Sequence, residues 1–305
     1  MEFFKQTHIN FMAQRKWAAI LSIILFTLSI ISLIMNGLNL GLDFTGGTQV
    51  ELSFQQSIDV TQVRNKLEQA GFPDAIVLSY GTSKDVLITL PAKINNGTQE
   101  TLPVRIQQIF PDGKIEQTDF IGPQVGRELA TKGILAVVIA LLGTMIYIAF
   151  RFQMRFAIGS TVALIHDPVL ILGIFSFWHL EFNLIVLAGI LTVIGYSLND
   201  TIVIFDRIRE NFRKFRKATP LEVVNQATNQ TLSRTIMTSA LTLTVVFALF
   251  FLGGSMLHGF ALALIIGIVV GTYSSIYVAG SLAVALGLNR QHLLPPSREE
   301  LDGRP

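Results

Sequence analysis

A bundle of six membrane-spanning helices carrying one small α+β domain is the architecture expected for this chain of 305 residues. Three observations lead there. Half of the residues are hydrophobic and only 14% are charged, with a mean hydropathy of +0.53, which is the balance of a membrane protein. Six apolar stretches are long enough to cross a bilayer. A single long polar segment, 39–128, carries alternating and amphipathic patterns in the order strand, helix, strand, strand, helix, strand.

The first stretch, Trp17 to Met35, follows Lys5, Arg15 and Lys16. At about 19 residues it exceeds a cleavable apolar region of about 7 to 15, and no small-residue cleavage pattern precedes Asn36-Gly37, so it reads as an uncleaved anchor spanning 1–38 with its basic leader. The other five spans are Lys132 to Phe150, Phe156 to Trp178, Asn183 to Phe205, Thr235 to Leu252 and Phe260 to Gly287, grouped as 129–287. Basic residues cluster on one side: Arg151 and Arg155, then Arg207, Arg209, Arg213, Lys214, Arg216 and Lys217 in a loop over 206–233, then Arg290 in a tail over 288–305. The opposite short loops, His179 to Phe182 and Gly253 to Gly259, have neither Lys nor Arg. The positive-inside rule therefore places both termini in the cytoplasm and the 39–128 domain on the far side, the periplasm.

Within that domain, "TQVELSF" alternates as a strand. "DVTQVRNKLEQAG" is a helix with Asp59 as N-cap and Gly71 as its stop; "AIVLSY", "DVLITL" and "KIEQTDF" are strands; and Thr101 to Phe110 is a helix ended by Pro111. The order predicts a ferredoxin-like fold, which by itself implies no function. The basic run "RIRENFRKFRK" is expected to touch anionic membrane lipid or a cytoplasmic partner. After it, Thr219, Pro220 and Glu222 form a capping box opening a short helix, whose Leu221, Val224, Ala227 and Leu232 suit the membrane surface.

Chemistry is sought where polar groups sit among apolar ones, because an Asp at the centre of a span costs about 2.5 to 3.5 kcal/mol. Asp200, next to Asn199, is about 8 Å from the end of its span at 1.5 Å per residue. Tyr196 and Thr192 lie on the same face, with Ser197 alongside. Arg234 opens the next span, with Thr235, Thr238, Ser239 and Thr242 following on one side. Antiparallel packing would let Arg234 reach Asp200, making a pair in which the Arg stays charged while a desolvated carboxylate can take up a proton. The third site is His166-Asp167-Pro168, where proline frees a carbonyl that His166 or Asp167 is expected to serve, with proton transfer as the other role. Gly267 and Gly271 predict close helix packing.

Net charge is +2, so global balance implies no nucleic acid. Without cysteine, thiol chemistry and disulfides are excluded. The chain has no H-E-x-x-H, no G-x-S-x-G and no Walker lysine; "DFTGGT", with Asp43, Gly46 and Gly47, lacks both the spacing and the Lys for phosphate. No hydrolytic or ATP-driven chemistry can be assembled, so no enzyme activity, metal or cofactor is expected, and any energy must come from a partner or the membrane.

Four motifs, "GLDFTGGT" (41–48), "IGPQVGREL" (121–129), "GYSLNDTIVIFDRIREN" (195–211) and "TLSRTIMTS" (231–239), closely resemble the bacterial SecF family of protein translocase subunits, in that family's order and over essentially the whole chain. The resemblance implies pairing with SecD into a membrane domain like that of the resistance-nodulation-division exporters. It also implies association with SecYEG and with YajC and YidC, and use of the proton-motive force to help export unfolded preproteins. It further implies that Asp200 and Arg234 are the proton-responsive carboxylate and its basic partner, and that Asp43 belongs to a motif at the junction of span and periplasmic domain. Rival readings are a proton-driven small-molecule or lipid exporter half, disfavoured by so small a domain, and a scaffold that transduces nothing.

Overall fold

The computed structural model describes residues 7–79, 82–91, 102–152, 154–215 and 217–288. Lys5, Thr101, Arg216, Arg290 and the tail beyond 288 lie outside the described residues. Among the described residues six helices are long and apolar enough to cross a membrane, as expected. In chain order the elements begin with α1 (Arg15–Asn36), β1 (Asn39–Leu40), α2 (Leu42–Thr45), β2 (Gly47–Phe54), α3 (Val60–Gln69), β3 (Ile76–Ser79), β4 (Asp85–Pro91), α4 (Leu102–Ile109) and β5 (Gly113–Ile121). They continue with α5 (Pro123–Arg151), α6 (Met154–Phe177), β6 (Glu181–Phe182), α7 (Leu184–Lys214), α8 (Pro220–Leu252) and α9 (Gly254–Ser274), then a π-helical turn (Ser275–Ala279) and α10 (Gly280–Ala285).

The extramembrane domain pairs its strands in the order β3-β4-β2-β5, all antiparallel, compatible with a ferredoxin-like sheet. Alternation decides its faces. Val50, Leu52, Val77, Val86, Ile88 and Leu90 turn inward and bury Val63 and Leu67 of α3 and Leu102 and Ile106 of α4. Local chemistry sets the ends of α3. Asp59 Oδ1 accepts the Thr61 N–H at 2.9 Å, and Gly71, at φ +91°, lets Phe72 N–H turn back to the Leu67 carbonyl at 2.9 Å.

Two helices depart from expectation. Most of the segment 206–233 is helix and its loop is short: α7 runs on to Lys214 and α8 starts at Pro220. Good helix formers and the ion pairs Arg207–Glu210 (2.7 Å) and Lys214–Glu210 (2.6 Å), at three- and four-residue spacing, carry α7 past the apolar stretch. The capping box at Thr219 and Glu222 is present, but the helix it opens is continuous with the fifth span. Its Val224 and Ala227 are fully buried, packed with Phe11, Met12, Phe205 and Phe212 rather than on the membrane surface.

Small residues set the closest approaches in the bundle. A Cβ on Gly173 of α6 would lie 2.3 Å from Ser29 of α1, and one on Gly267 of α9 would lie 2.2 Å from Val193 of α7. The expected Gly267/Gly271 contact is thus between α9 and α7.

Candidate functional site

The helix that carries Asp200 is anchored at its start from two directions. Asn183 is the N-cap of α7 and its side chain accepts the Val186 N–H at 3.0 Å, while Asp43 Oδ2 accepts the Leu184 N–H at 2.8 Å across the fold. First-turn amides have no partner within the helix, and a carboxylate there is favoured by the helix dipole. The "DFTGGT" motif thus becomes a joint. Asp43 holds α7, Gly46 sits at φ +68° with Pro123 Cα 2.9 Å from where a Cβ would be, and Gly47 opens β2. A Cβ on Gly126 of α5 would press on Phe44 O at 3.0 Å and Gly46 N at 3.1 Å, so only glycine lets α2 and α5 meet this closely. The extramembrane sheet, α5 and α7 therefore share one rigid junction, braced by the two-residue parallel pairing of β1 with β6.

Glu181 in β6 lies beside that joint. Burial pushes its carboxyl above the ordinary carboxylate range; the Asn183 side chain opposes the shift and the Asp43 charge adds to it. A group with a raised value binds more protons folded than unfolded. Its stabilising contribution is complete below the unfolded value and is lost as pH rises through the folded one. Glu181→Gln is therefore expected to raise the melting temperature at neutral pH and to lose that advantage in acid. Thermal unfolding of the two proteins across pH measures it, and parallel profiles would contradict the assignment.

Within the bundle, the polar residues singled out from the sequence separate into two groups. Asp167 on α6 is wholly buried and joins three helices: its Oδ2 accepts Ser197 Oγ of α7 at 2.7 Å and Ser274 Oγ of α9 at 2.8 Å, and its Oδ1 is 3.0 Å from His166 Nδ1. Gly271 provides the room, since a Cβ there would be 3.0 Å from Ser197 Cβ and 3.5 Å from Asp167 Oδ2. Contrary to the expectation that His166 or Asp167 serves a carbonyl freed by Pro168, Asp167 contacts Ser197 and Ser274 of neighbouring helices and the adjacent His166; a carboxylate oxygen accepts, and so cannot serve a carbonyl, which also accepts. His166 Nε2 is buried with no partner among the described residues, its ring stacked 6.3 Å from Phe26 of α1. The π-helical turn begins here: Ser275 Oγ meets Thr201 Oγ1 at 2.9 Å and the Ser197 carbonyl at 3.3 Å.

The second group surrounds Asp200, 4% exposed, whose Oδ2 is buried without a hydrogen-bond partner among the described residues. One turn away, Tyr196 OH is 3.4 Å from Ser239 Oγ of α8, which bonds Thr272 Oγ1 of α9 at 2.9 Å. Thr235, one turn from Ser239, also buries a hydroxyl without a partner among the described residues. Because α7 and α8 are antiparallel, Asp200 and Thr235 lie at a similar depth. Among the described residues no ion pair within 4 Å joins Arg234 to Asp200, and Arg234 is exposed near the start of the fifth span. Asn199 is exposed as well, while Thr238 donates to the carbonyls of Arg234 and Thr235 in its own helix. The polar stripe 192–200 therefore rotates from the outer surface at Thr192 to the interior at Asp200.

Ser274, Ser275 and Thr201 were not legible as site residues, because small hydroxyls are common in apolar helices. The signal that finds them is a buried Asp, which needs donors from other helices. No group of three or more His, Asp or Glu that could hold a metal occurs among the described residues.

Comparison with known proteins matches the family described as protein export membrane protein SecD/SecF, C-terminal, over residues 102–289, and the SecD/SecF GG motif over residues 31–58. The chain is 46% identical to the protein translocase subunit SecF of Vibrio alginolyticus, covering 96% of this chain and 94% of that one. It is 44% identical to the same subunit of Pseudomonas aeruginosa, covering 97% and 98%. The crystal structure of SecDF, a translocon-associated membrane protein from Thermus thermophilus, superposes with a TM-score of 0.85 at 38% identity; the match covers 92% of this chain and 39% of that chain. A second crystal structure, of SecDF in a super-membrane-facing form, gives a TM-score of 0.70 at 37% identity, covering 93% and 39%.

Proposed function

This chain is a multi-pass inner-membrane protein belonging to the SecF family of protein translocase subunits, and from that premise we propose that it converts the proton-motive force into movement that assists export of unfolded preproteins. The observation that carries the proposal is the buried, unpartnered oxygen of Asp200, on a helix whose opposite end is held by Asp43 at the joint with the extramembrane domain. An acceptor kept from water without a donor is costly in its ionised form, and taking up a proton relieves that cost. A change in the charge of Asp200 alters how α7 sits against α8 and α9. The Asp43 and Asn183 contacts carry that displacement to the sheet.

In this reading both termini are cytoplasmic, the sheet is periplasmic, and a SecD half covers the outer side of α7 and α8, where Asn199 and Arg234 lie exposed. Polar groups at that depth need a protein neighbour rather than lipid. Arg234 then faces the shared interface, poised to meet Asp200 in another state of the cycle. SecYEG, YajC and YidC would be the partners of this step in the surrounding translocon, and the step itself needs only this chain and its SecD half.

The test is export in sealed vesicles holding the purified complex and a preprotein already engaged in the channel. An imposed proton gradient directed from the periplasmic to the cytoplasmic face of the complex is expected to speed completion of export, and an uncoupler to remove the gain. Completion at the same rate with and without the gradient would refute the motor and leave a scaffold.

A further inference from the structure

At the end of the bundle remote from the sheet lies a groove of about 1140 Å³ that the export reading does not use. One wall is the N-terminal segment, held to α8 by its backbone: Asn229 accepts the Ile9 N–H at 2.9 Å and donates to the Ile9 carbonyl at 2.8 Å, and Asn225 accepts the Met12 N–H at 3.1 Å. The other walls are α8 and the extension of α7. The lining is rich in donors: His8, Arg15, Arg207, Gln226, Gln230 and Ser233. The one acid among its described lining residues, Glu222, already accepts the Thr219 N–H at 2.8 Å in the capping box. Arg207 shares one guanidinium nitrogen with Glu210, and Arg15 makes no ion pair among the described residues.

Depth and shape define what fits. Trp17, 74% exposed, marks the level at which aromatic side chains sit between headgroups and hydrocarbon. Below Arg15 on α1 the four-residue stripe continues with Ala19 and Ile23, and below Ile236 on α8 Ala240, Thr244 and Phe247 follow at four-, four- and three-residue steps, all exposed. The groove thus has a cationic, amide-lined head and two apolar tracks leading into the membrane.

We propose that this groove is a binding site for an anionic phospholipid, whose phosphate lies against Arg15 and Arg207 while its acyl chains run down α1 and α8. A soluble phosphate would leave the apolar tracks bare, and a zwitterionic lipid would place a second cation among arginines. Basic pockets between spans on the cytoplasmic side take anionic headgroups for this reason. The inference rests on the cytoplasmic placement of the termini proposed above.

Native mass spectrometry of the full chain purified with its SecD partner, stripped of lipid and titrated with phosphatidylglycerol or phosphatidylcholine, tests it. Phosphatidylglycerol is expected to be retained in preference. Arg15→Gln should weaken that retention about fivefold, and Arg207→Gln similarly, as one basic contact each. Arg151→Gln, outside the groove, should not change it. Equal retention of the two lipids, wild-type retention in both groove variants, or displacement by soluble glycerol phosphate would each overturn the site. Retention is read without a gradient, so failure of the export motor leaves this result intact. Labelling of an Asn10→Cys variant in sealed cells reads the sidedness separately.

Discussion

Asp200→Asn is expected to abolish the gradient-dependent part of preprotein export while leaving the chain in the membrane at normal abundance. The amide is nearly isosteric and, like a protonated carboxyl, carries no charge, so it mimics one state of the cycle and denies the other. The size of the effect follows from the field. One charge moved through 100 mV is worth about 2.3 kcal/mol, enough to bias a two-state equilibrium about fiftyfold per proton if fully coupled. Removing the titrating group removes all of that bias, whereas the packing change is small. The comparison to make is export completion in vesicles with and without an imposed gradient, wild type against variant, with the amount of assembled complex matched. A variant that still responds to the gradient would take Asp200 out of the mechanism and leave it as a packing residue.

Asp167→Ala is expected to do something different: to loosen the bundle whether or not a gradient is present. The substitution strips the acceptor from Ser197 and Ser274 and leaves His166 without its Nδ1 partner in a wholly buried place. Hydrogen bonds between spans average only about 0.6 kcal/mol each. Buried groups left with no partner cost more, about 1 to 3 kcal/mol each. With two hydroxyls and a ring nitrogen affected, a loss of about 2 to 4 kcal/mol is the expected order. Asp167→Asn separates the contributions, because an amide oxygen still accepts hydroxyls but has no charge for His166. Thermal unfolding in detergent should therefore rank wild type, then Asn, then Ala. An Ala variant as stable as wild type would mean that the three-helix node contributes nothing to holding α6, α7 and α9 together.

The difference between these two carboxylates marks where reading the chain alone reaches its limit. Span number, the strand and helix order of the extramembrane domain, the Asp59 cap, the Gly71 stop and the capping box at Thr219 depend on residues within one or two turns of each other, so the local pattern suffices to identify them. That Asp200, Asp167 and Asp43 are out of place among apolar neighbours is equally local. Which partner each one takes is not. Helix rotation about its axis turns Asn199 outward and Asp200 inward though they are adjacent, and it leaves Arg234 exposed rather than in an ion pair with Asp200. That most of 206–233 is helix was hidden because a charged run reads as loop, although its ion pairs are local, and because the buried face of Val224 and Ala227 that joins the capped helix to the fifth span is decided only by packing. The 141-residue separation between Asp43 and the start of α7 shows the same limit: a cap supplied from so far along the chain exists only once the helices have packed. Composition and periodicity decided that this is a six-span protein with a small appended sheet; non-local packing alone decided which buried oxygens are satisfied and which, Asp200 Oδ2 among them, have no partner among the described residues.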